Sequence, residues 1–227
     1  MRPQVAIIGA GPSGLLLGQL LLTHDIANII LEQCSADAVL GRIQASIIEK
    51  NTADLIDESG VDARMHRDGL IHQGIEILFA GERHRVDFTD LVGTSVIGYA
   101  QAELTKDLMD ARAAAEGQTL YEISDVSLHD IDGVRPTVQY RNYGAAQQIG
   151  CDFIVGCDGF HGISRKSIPR TVFREYERVY PFGWLGLLVD QPPISPEPMY
   201  VYHERSFALC SVVSPTRSRL YIQCLPR

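Results

Sequence analysis

The chain has 227 residues, of which 45% are hydrophobic and 21% charged, a composition typical of a globular protein of one large or two small domains. Its 20 basic and 28 acidic residues give a net charge of −8 without any basic block, which argues against a nucleic-acid or membrane partner. Five irregularly spaced cysteines without a C-x-x-C pair exclude a disulfide framework and a zinc site. We therefore predict a cytoplasmic protein that binds no metal.

The first 32 residues predict a βαβ unit. Residues 3–8 form an apolar run typical of a strand buried on both faces, and a glycine-rich turn and a helical segment over 15–23 follow. A second strand over 28–31 ends at Glu32. Glycine, proline and polar residues interrupt the apolar stretch, which argues against a signal peptide or a membrane span. The pattern predicts an α/β fold that begins with a Rossmann-like unit.

The middle of the chain predicts helices and inserted strands. Apolar residues recur at helical spacing over 44–58 and 101–116, which predicts two helices. A β-hairpin with strands over 75–80 and 84–88 is predicted between them. Further strands are predicted near three segments, 119–129, 135–141 and 148–155.

The C-terminal part has a different character. After Pro169 the chain predicts a mostly antiparallel sheet with strands over four segments, 184–189, 199–203, 207–213 and 218–224. We therefore predict a Rossmann-like domain with inserted strands over residues 1–169 and a partial sheet domain over 170–227. The sheet domain ends on a strand without a covering layer, so we expect it to be incomplete at its C-terminus.

The turn after the first strand has the pattern G-x-G-x-x-G, formed by Gly9, Gly11 and Gly14. These glycines allow a tight turn, a close approach of a pyrophosphate, and close packing of helix on strand. Glu32 follows the second strand, 21 residues after Gly11, where a carboxylate can accept hydrogen bonds from a ribose. A merely tight turn explains the glycines but not Glu32, so the sequence predicts a dinucleotide site.

Several polar residues are weaker candidates. Asp158 and Gly159 follow an apolar strand, and at this position the carboxylate can bind a sugar or ribityl hydroxyl. An Asp-Gly pair taken alone, however, more often forms an ordinary turn without a binding role. Five other side chains could hold a small polar aromatic molecule, although each of them alone more often has a structural role. They are His72, His161, Tyr200, Ser211 and Tyr221.

Five stretches carry a family resemblance. They read QVAIIGAGPSGLLLGQL over 4–20, VLGRI over 39–43, CDGFHGISR over 157–165, ERVYPFGWLGLL over 177–188, and FALCS over 207–211 with TRSR over 216–219. On these residues the chain resembles the flavin-dependent aromatic hydroxylases that act on 4-hydroxybenzoate-like phenolic acids in aromatic compound catabolism. The resemblance covers nearly the whole chain.

The resemblance implies that residues 1–169 bind FAD and residues 170–227 bind a small aromatic substrate, with NADPH or NADH and O₂ as co-substrates in a homodimer. The FAD contacts that it implies are Gly9, Gly11, Ser13, Gly14, Glu32, Arg42, Gln44, Gln101, Asp158 and Gly159. It assigns His161 and Arg165 to the nicotinamide cofactor, and it implies substrate contacts from Tyr200, Ser211 and Tyr221. Tyr200 is expected to favour the phenolate form of the substrate, and His72 to form the outer end of a proton relay.

The chain departs from the family pattern at several positions. Gln44 and Val213 stand where the family has arginines, near the pyrophosphate and at the substrate carboxylate. Gln33 and Ala38 replace residues associated with NADPH, which leaves the choice between NADH and NADPH open.

Family members also continue well beyond residue 227, so the resemblance implies a C-terminally truncated member that alone is not a competent hydroxylase. Two alternatives to a hydroxylase are a catalytically silent flavin- or nucleotide-binding fragment and a dehydrogenase using NAD alone. The dehydrogenase leaves the runs at 158–165 and 180–188 unexplained.

Overall fold

A computed structural model describes residues 2–42 and 46–225. The helices are α1 (Pro12–Thr23), α2 (Ala36–Leu40), α3 (Lys50–Glu58), α4 (Ala63–Asp68), α5 (Phe88–Val92), α6 (Gln101–Ala114) and α7 (Ile163–Lys166). The strands are β1 (Val5–Ile8), β2 (Asn28–Leu31), β3 (Ile47–Ile48), β4 (Leu70–His72), β5 (Gly74–Phe79), β6 (Glu82–Asp87), β7 (Val96–Gly98), β8 (Gln118–Leu120), β9 (Ser124–His129), β10 (Thr137–Asn142), β11 (Ala145–Gly150), β12 (Phe153–Gly156), β13 (Gly183–Val189), β14 (Met199–His203), β15 (Ser206–Ser214) and β16 (Arg217–Cys224).

The chain divides into two compact units, each built from separate segments. The first unit contains Met1–Gln44, Leu55–Asp62 and Gln101–Glu175, and the second contains Ala45–Asp54, Ala63–Ala100 and Tyr176–Arg227. This division differs from the sequence-based boundary at residue 169, because β5 pairs with β14 and thereby draws an N-terminal hairpin into the C-terminal sheet.

The first unit is organised around a parallel sheet in the order β12-β1-β2-β8. Every residue of β1 and β2 is buried, as expected for strands covered on both faces. Helix α1 packs against α6 and β2, and a separate antiparallel sheet has the order β11-β10-β9. This arrangement confirms the predicted Rossmann-like α/β fold.

The core of the first unit joins its two sheets. Its buried members come from β1, β2, β10 and the segments beside them, namely Ala6, Ile8, Ile29, Leu31, Ile123, Val138, Tyr140 and Cys151. Burial raises the pKa of the Cys151 thiol, so this cysteine stays protonated and acts as a small apolar residue.

A buried arginine fixes α6 to the edge of the parallel sheet. Arg112 donates hydrogen bonds to Thr119 Oγ1 at 2.9 Å and to the Gln118 carbonyl at 2.8 Å. Burial lowers the pKa of its guanidinium to about 10. A Cβ on Gly18 would lie 2.7 Å from Arg112 Nη1 and 2.9 Å from Ile30 Cδ1, so α1 packs closely against this side chain and the sheet.

The second unit contains a six-stranded sheet in the order β13-β16-β15-β14-β5-β6 and a small antiparallel sheet, β3-β7-β4. All pairs in the larger sheet are antiparallel except β14 with β5, which confirms the prediction of a mostly antiparallel sheet. The pairing of β15 with β16 shifts register between Val212 and Ser214, so Val213 lies in a bulge.

Three predicted elements are wrong in their bounds. The helix expected over 44–58 begins only at Lys50, because Ile47 and Ile48 pair with β7 as a strand. The segment 119–129 contains most of β8 and all of β9, and the segment 148–155 contains the end of β11 and most of β12. In both segments the two strands belong to different sheets. Within residues 2–42 and 46–225 no helix is long and apolar enough to cross a bilayer.

Candidate functional site

A cavity of about 610 Å³ lies in the first unit at the carboxyl ends of β1, β2 and β12. Ligands of open α/β sheets bind at this edge, because the loops that leave neighbouring parallel strands converge there. Nine residues predicted from the sequence line it, namely Gly9, Gly11, Ser13, Glu32, Arg42, Gln101, Asp158, Gly159 and His161.

The three glycines of the turn have different surroundings. A Cβ on Gly9, whose φ is +103°, would lie 2.5 Å from the Cys157 carbonyl oxygen, and one on Gly14 would lie 2.0 Å from the Gly9 oxygen. Both positions therefore require glycine for backbone packing. By contrast, Gly11 has no atom within 4 Å of its missing Cβ and faces open space.

Helix α1 begins beside this open space. Gly11 is its N-cap, so no side chain caps the helix, and Pro12 occupies the first turn. The free N–H groups and the positive end of the helix dipole suit a phosphate group. The open space beside the Gly11 backbone and the uncapped N-terminus of α1 together fit the pyrophosphate of a dinucleotide.

Glu32 is buried beside the glycine turn, where it lines the cavity, with 4% of its surface exposed. Its Oε2 accepts a hydrogen bond from the Ala10 N–H at 2.7 Å, and its Oε1 accepts one from the Cys34 N–H at 2.9 Å. These bonds fix the carboxylate and tie β2 to the glycine turn. Since each carboxylate oxygen has further lone pairs, Glu32 can still accept hydrogen bonds from a bound ribose.

Arg42 brings a positive charge to the same wall. Its Nη2 lies 3.6 Å from Glu32 Oε1 and 3.2 Å from the Cys34 sulfur. Gln101, the first residue of α6, lines the cavity as well. The predicted contact Gln44 lies outside the described residues.

The loop after β12 is shaped by Asp158, whose Oδ2 accepts a hydrogen bond from the Ser164 N–H at 2.9 Å. A Cβ on Gly162 would lie 2.1 Å from the Asp158 carboxyl carbon, and Gly159 has a φ of +73°. Asp158 therefore has a structural function in this turn and also borders the cavity.

The two residues predicted to contact the nicotinamide cofactor are close in sequence but differ in surroundings. His161 lines the first cavity, whereas Arg165 lines a neighbouring cavity of about 630 Å³. The Arg165 guanidinium lies 4.7 Å from the centre of the Phe160 ring, and its Nη1 is 3.3 Å from a Glu175 oxygen. Asp158 and Gly159 border both cavities.

Sequence reasoning missed several residues that line the first cavity. Ile123 and the first residues of β9, from Ser124 to Val126, reach it because β8 pairs with β2. Lys166 reaches it from the end of α7. No local motif marks these positions, since only the pairing of distant strands brings them to the cavity.

The predicted substrate residues lie on one face of the large sheet in the second unit. Tyr200 pairs with Leu209, and Leu209 pairs with Tyr221, so the three side chains form one row across β14, β15 and β16. Ser211 shares their face because it is two residues beyond Leu209 on the same strand. The structure thus brings Tyr200, Ser211 and Tyr221 together.

His72 lies in the small sheet of the second unit, with only 1% of its surface exposed. Burial lowers the pKa of its imidazole, while the Pro196 carbonyl and the Glu197 carboxylate act in the opposite direction. Neither ring nitrogen makes a hydrogen bond within the described part of the chain, so His72 is not linked to Tyr200 directly. A Cβ on Gly98 would lie 2.8 Å from His72 Nε2, which shows how tightly the ring is enclosed.

Comparisons with known proteins agree with this geometry. A family model described as FAD binding domain matches residues 2–227. The p-hydroxybenzoate hydroxylase of Acinetobacter baylyi is 51% identical over 224 residues, which cover 98% of this chain and 55% of that protein. The chain therefore spans about half the length of this relative.

Solved structures show the same fold. The p-nitrophenol 4-monooxygenase PnpA of Pseudomonas putida superposes with a TM-score of 0.83 at 14% identity. The superposition covers 99% of this chain and 58% of the PnpA chain. PqsL, a probable FAD-dependent monooxygenase of Pseudomonas aeruginosa, superposes with a TM-score of 0.79 at 18% identity. This superposition covers 99% of this chain and 61% of the PqsL chain.

Proposed function

Because this chain belongs to the family of FAD-binding domains, we propose that it forms the FAD-binding and substrate-binding parts of a flavin-dependent monooxygenase. The reaction is the hydroxylation of a 4-hydroxybenzoate-like phenolic acid. One atom of O₂ enters the ring as a hydroxyl group, the other leaves as water, and NADPH or NADH supplies two electrons. The observation that carries this proposal is the cavity between Glu32 and the bare backbone at Gly11.

The first unit provides the FAD site in this proposal. Glu32 binds the adenosine ribose, the backbone of Gly9, Gly11, Ser13 and Gly14 receives the pyrophosphate, and the remaining contacts come from Arg42, Gln44, Gln101, Asp158 and Gly159. His161 and Arg165 bind the nicotinamide co-substrate beside it. When bound, the flavin carries the electrons to O₂ and provides the oxygen atom for the substrate.

The second unit provides the substrate site. A hydrogen bond donated by the Tyr200 hydroxyl to the substrate phenol oxygen stabilises the phenolate, which makes the ring a better nucleophile. Ser211 and Tyr221 donate hydrogen bonds to the carboxylate at the other end. These assignments are supported by the register that places the three side chains on one sheet face.

His72 is the proton acceptor at the outer end of the relay. Burial favours its neutral form near pH 7, and an unpaired imidazole nitrogen can accept a proton passed along from the substrate phenol. The enclosure of the ring keeps this proton away from bulk water until release.

The activity test uses the full-length polypeptide that contains residues 1–227. We expect the purified protein to bind FAD, and 4-hydroxybenzoate to stimulate NAD(P)H oxidation with formation of one dihydroxybenzoate per NAD(P)H. Mass spectrometry in ¹⁸O₂ should place one labelled atom in the product. FAD binding without labelled product would contradict the hydroxylase proposal.

A second candidate function is a catalytically silent flavin-binding chain. It is favoured by the exposed apolar side chains of β13, which include Trp184 and Leu188. The same assay on the full-length polypeptide separates the two candidates, because a silent chain binds FAD but forms no labelled product.

We also propose a cytoplasmic homodimer. All five cysteines lie in the described part of the chain and none is paired there, which is compatible with a reducing compartment. Fractionation of cells and light scattering of the purified protein test the location and the dimer separately.

A further inference from the structure

A pair of opposite charges lies close to His72 in the second unit. Arg85 of β6 donates two hydrogen bonds to the Glu197 carboxylate, from Nε at 3.0 Å and from Nη2 at 2.7 Å. Two bonds from one guanidinium fix the orientation of a carboxylate as well as its distance. Because Glu197 precedes β14, the pair also ties the β5–β6 hairpin to the segment that leads into that strand.

This ion pair lies over Gly74, which is two residues after His72 in the chain. A Cβ on Gly74 would lie 3.1 Å from Glu197 Oε2 and 3.2 Å from Arg85 Nη2. The Glu197 carboxylate and the Pro196 carbonyl both raise the pKa of the His72 imidazole, against the larger effect of burial. The fold therefore holds a fixed negative charge near the buried ring.

The other charged groups in this part of the second unit do not act on the ring. Strand β7, which pairs with the strand of His72, contains no charged residue. Asp87 also pairs with Arg85, and a Glu76 carboxylate oxygen is 3.4 Å from Arg83 Nη1. Within the described part of the chain, neither Asp87 nor Glu76 shifts the pKa of His72. Glu197 is thus the carboxylate that the ring senses.

The three groups lead from the interior to the surface, since His72 is 1% exposed, the Glu197 side chain 14% and the Arg85 side chain 41%. A protonated imidazole in such an enclosure loses its hydration, which disfavours the charged form. A carboxylate near the ring lowers this cost. Because Arg85 holds the carboxylate in place, the ring can be neutral at rest and still find a counter-charge once it is protonated.

We propose that Glu197, held in place by Arg85, is the counter-charge for His72 after the ring has accepted a proton from the substrate phenol. In this step the proton moves to an imidazole nitrogen of His72, and Glu197 keeps its negative charge. Because it acts through His72, Glu197 is a positioning residue of the relay. This inference rests on the proposed hydroxylase function.

The first test is an NMR titration of the full-length polypeptide that contains residues 1–227, with labelled histidine rings. The His72 signal is assigned by its loss in His72→Gln. We expect Glu197→Gln to lower the pKa of His72 by about 0.5 or more, because the ring loses its counter-charge. Glu76→Gln is the matched control, since Glu76 also lies beside an arginine and is buried to a similar extent, and it should leave this pKa unchanged.

The second test is the steady-state hydroxylation of 4-hydroxybenzoate at pH 7 by the same polypeptide loaded with FAD. We expect Glu197→Gln to lower kcat about threefold or more while KM stays within about twofold, because a less basic His72 accepts the phenol proton less readily. Glu76→Gln should leave both constants close to those of the wild type. A merely structural role of Glu197 would not move the pKa of His72 and kcat together.

An unchanged pKa of His72 in Glu197→Gln overturns the inference and leaves the hydroxylase proposal intact, and so does a lowered pKa with an unchanged kcat. If the variant is too unstable to purify, the carboxyl carbon of Glu197 in the wild type decides. Its NMR signal should follow the protonation of His72, whereas that of Glu76 should not, and a Glu197 signal that does not follow it overturns the inference. A wild type that forms no hydroxylated product overturns the proposed function and this inference together.

Discussion

Glu32 combines a structural and a binding task in one carboxylate. It is held by the N–H groups of Ala10 and Cys34, so its position does not depend on a ligand. A site fixed before binding loses less entropy when the ligand arrives, which favours affinity. Because the carboxylate is fixed in this way, substitution of Glu32 is a direct test of the FAD site.

We expect Glu32→Ala to weaken FAD binding by about 1.5–3 kcal/mol, the usual loss for a hydrogen bond to a charged group. Calorimetric titration of the apoprotein with FAD measures it. The exposed Glu82→Gln serves as the control, because it changes the net charge by the same amount away from the cavity. An affinity that is unchanged in Glu32→Ala would remove this residue from the site.

His72 gives the protein a predictable acid sensitivity. Its folded-state pKa is depressed by burial, so the unfolded chain takes up the proton first as the pH falls below about 6.5. The stability contributed by the neutral ring is therefore complete above that pH and is lost as the pH falls towards the folded-state pKa. Each pKa unit of depression corresponds to about 1.4 kcal/mol.

Urea unfolding of wild type and His72→Gln between pH 7.5 and 5 measures this effect. We expect the free energy of unfolding of wild type to fall more steeply with acidification than that of the variant. Val134→Thr, at a position that is 95% exposed, should keep the wild-type slope. Equal slopes for His72→Gln and wild type would show that the buried ring does not titrate as proposed.

At the scale of elements, the glycine turn contains one glycine that folding requires, Gly14, and one that ligand binding requires, Gly11. The missing Cβ of Gly14 faces backbone 2.0 Å away, whereas that of Gly11 faces open space. We expect Gly14→Ala to lower the free energy of unfolding by about 1–3 kcal/mol through overpacking. Gly11→Ala should leave stability within about 0.5 kcal/mol but weaken FAD binding, because its methyl group occupies the pyrophosphate cradle.

Thermal unfolding and FAD titration of both variants test this separation, and each variant is the control for the other. A Gly11→Ala protein that binds FAD like wild type would place the pyrophosphate elsewhere.

Local sequence patterns predicted the strands best. The bounds expected for β2 and β14 coincide with the structure, since both are short apolar or aromatic runs between polar residues. Short elements such as β7 and α7 were missed, because three or four residues carry no measurable periodicity. Their conformation depends on partners far away in the sequence.

The same limit applies to the sites. The glycine turn and Glu32 could be predicted because a βαβ unit is local, and the structure places them in one cavity. Arg112 was overlooked because an arginine on a helix usually faces solvent, and its hydrogen-bond acceptors lie beyond the end of the helix.

At the scale of the whole molecule, the large sheet ends in an apolar edge strand. Leu185 and Leu187 of β13 are 50% and 39% exposed on the face opposite Tyr221, and the paired Ile222 is 37% exposed. An unpaired edge with contiguous apolar side chains favours association between molecules.

We expect the 227-residue polypeptide to self-associate, and Leu185→Thr combined with Leu187→Thr to reduce this association while keeping a side chain suited to strands. Light scattering across a concentration series measures the effect. Val134→Thr, at a position that is 95% exposed outside β13, should have no influence. An undiminished average mass in the double variant would assign the association to another surface.

The pairing of β1 with β12 constrains how the protein is made. Val5 lies opposite Phe153, so the strand at the centre of the parallel sheet lacks one neighbour until residues 153–156 have left the ribosome. The nascent chain must hold an apolar strand half-covered during that interval, a task suited to a chaperone. Pulse proteolysis of stalled chains should show protection of β1 only when β12 has emerged, and earlier protection would mean that the βαβ unit folds independently.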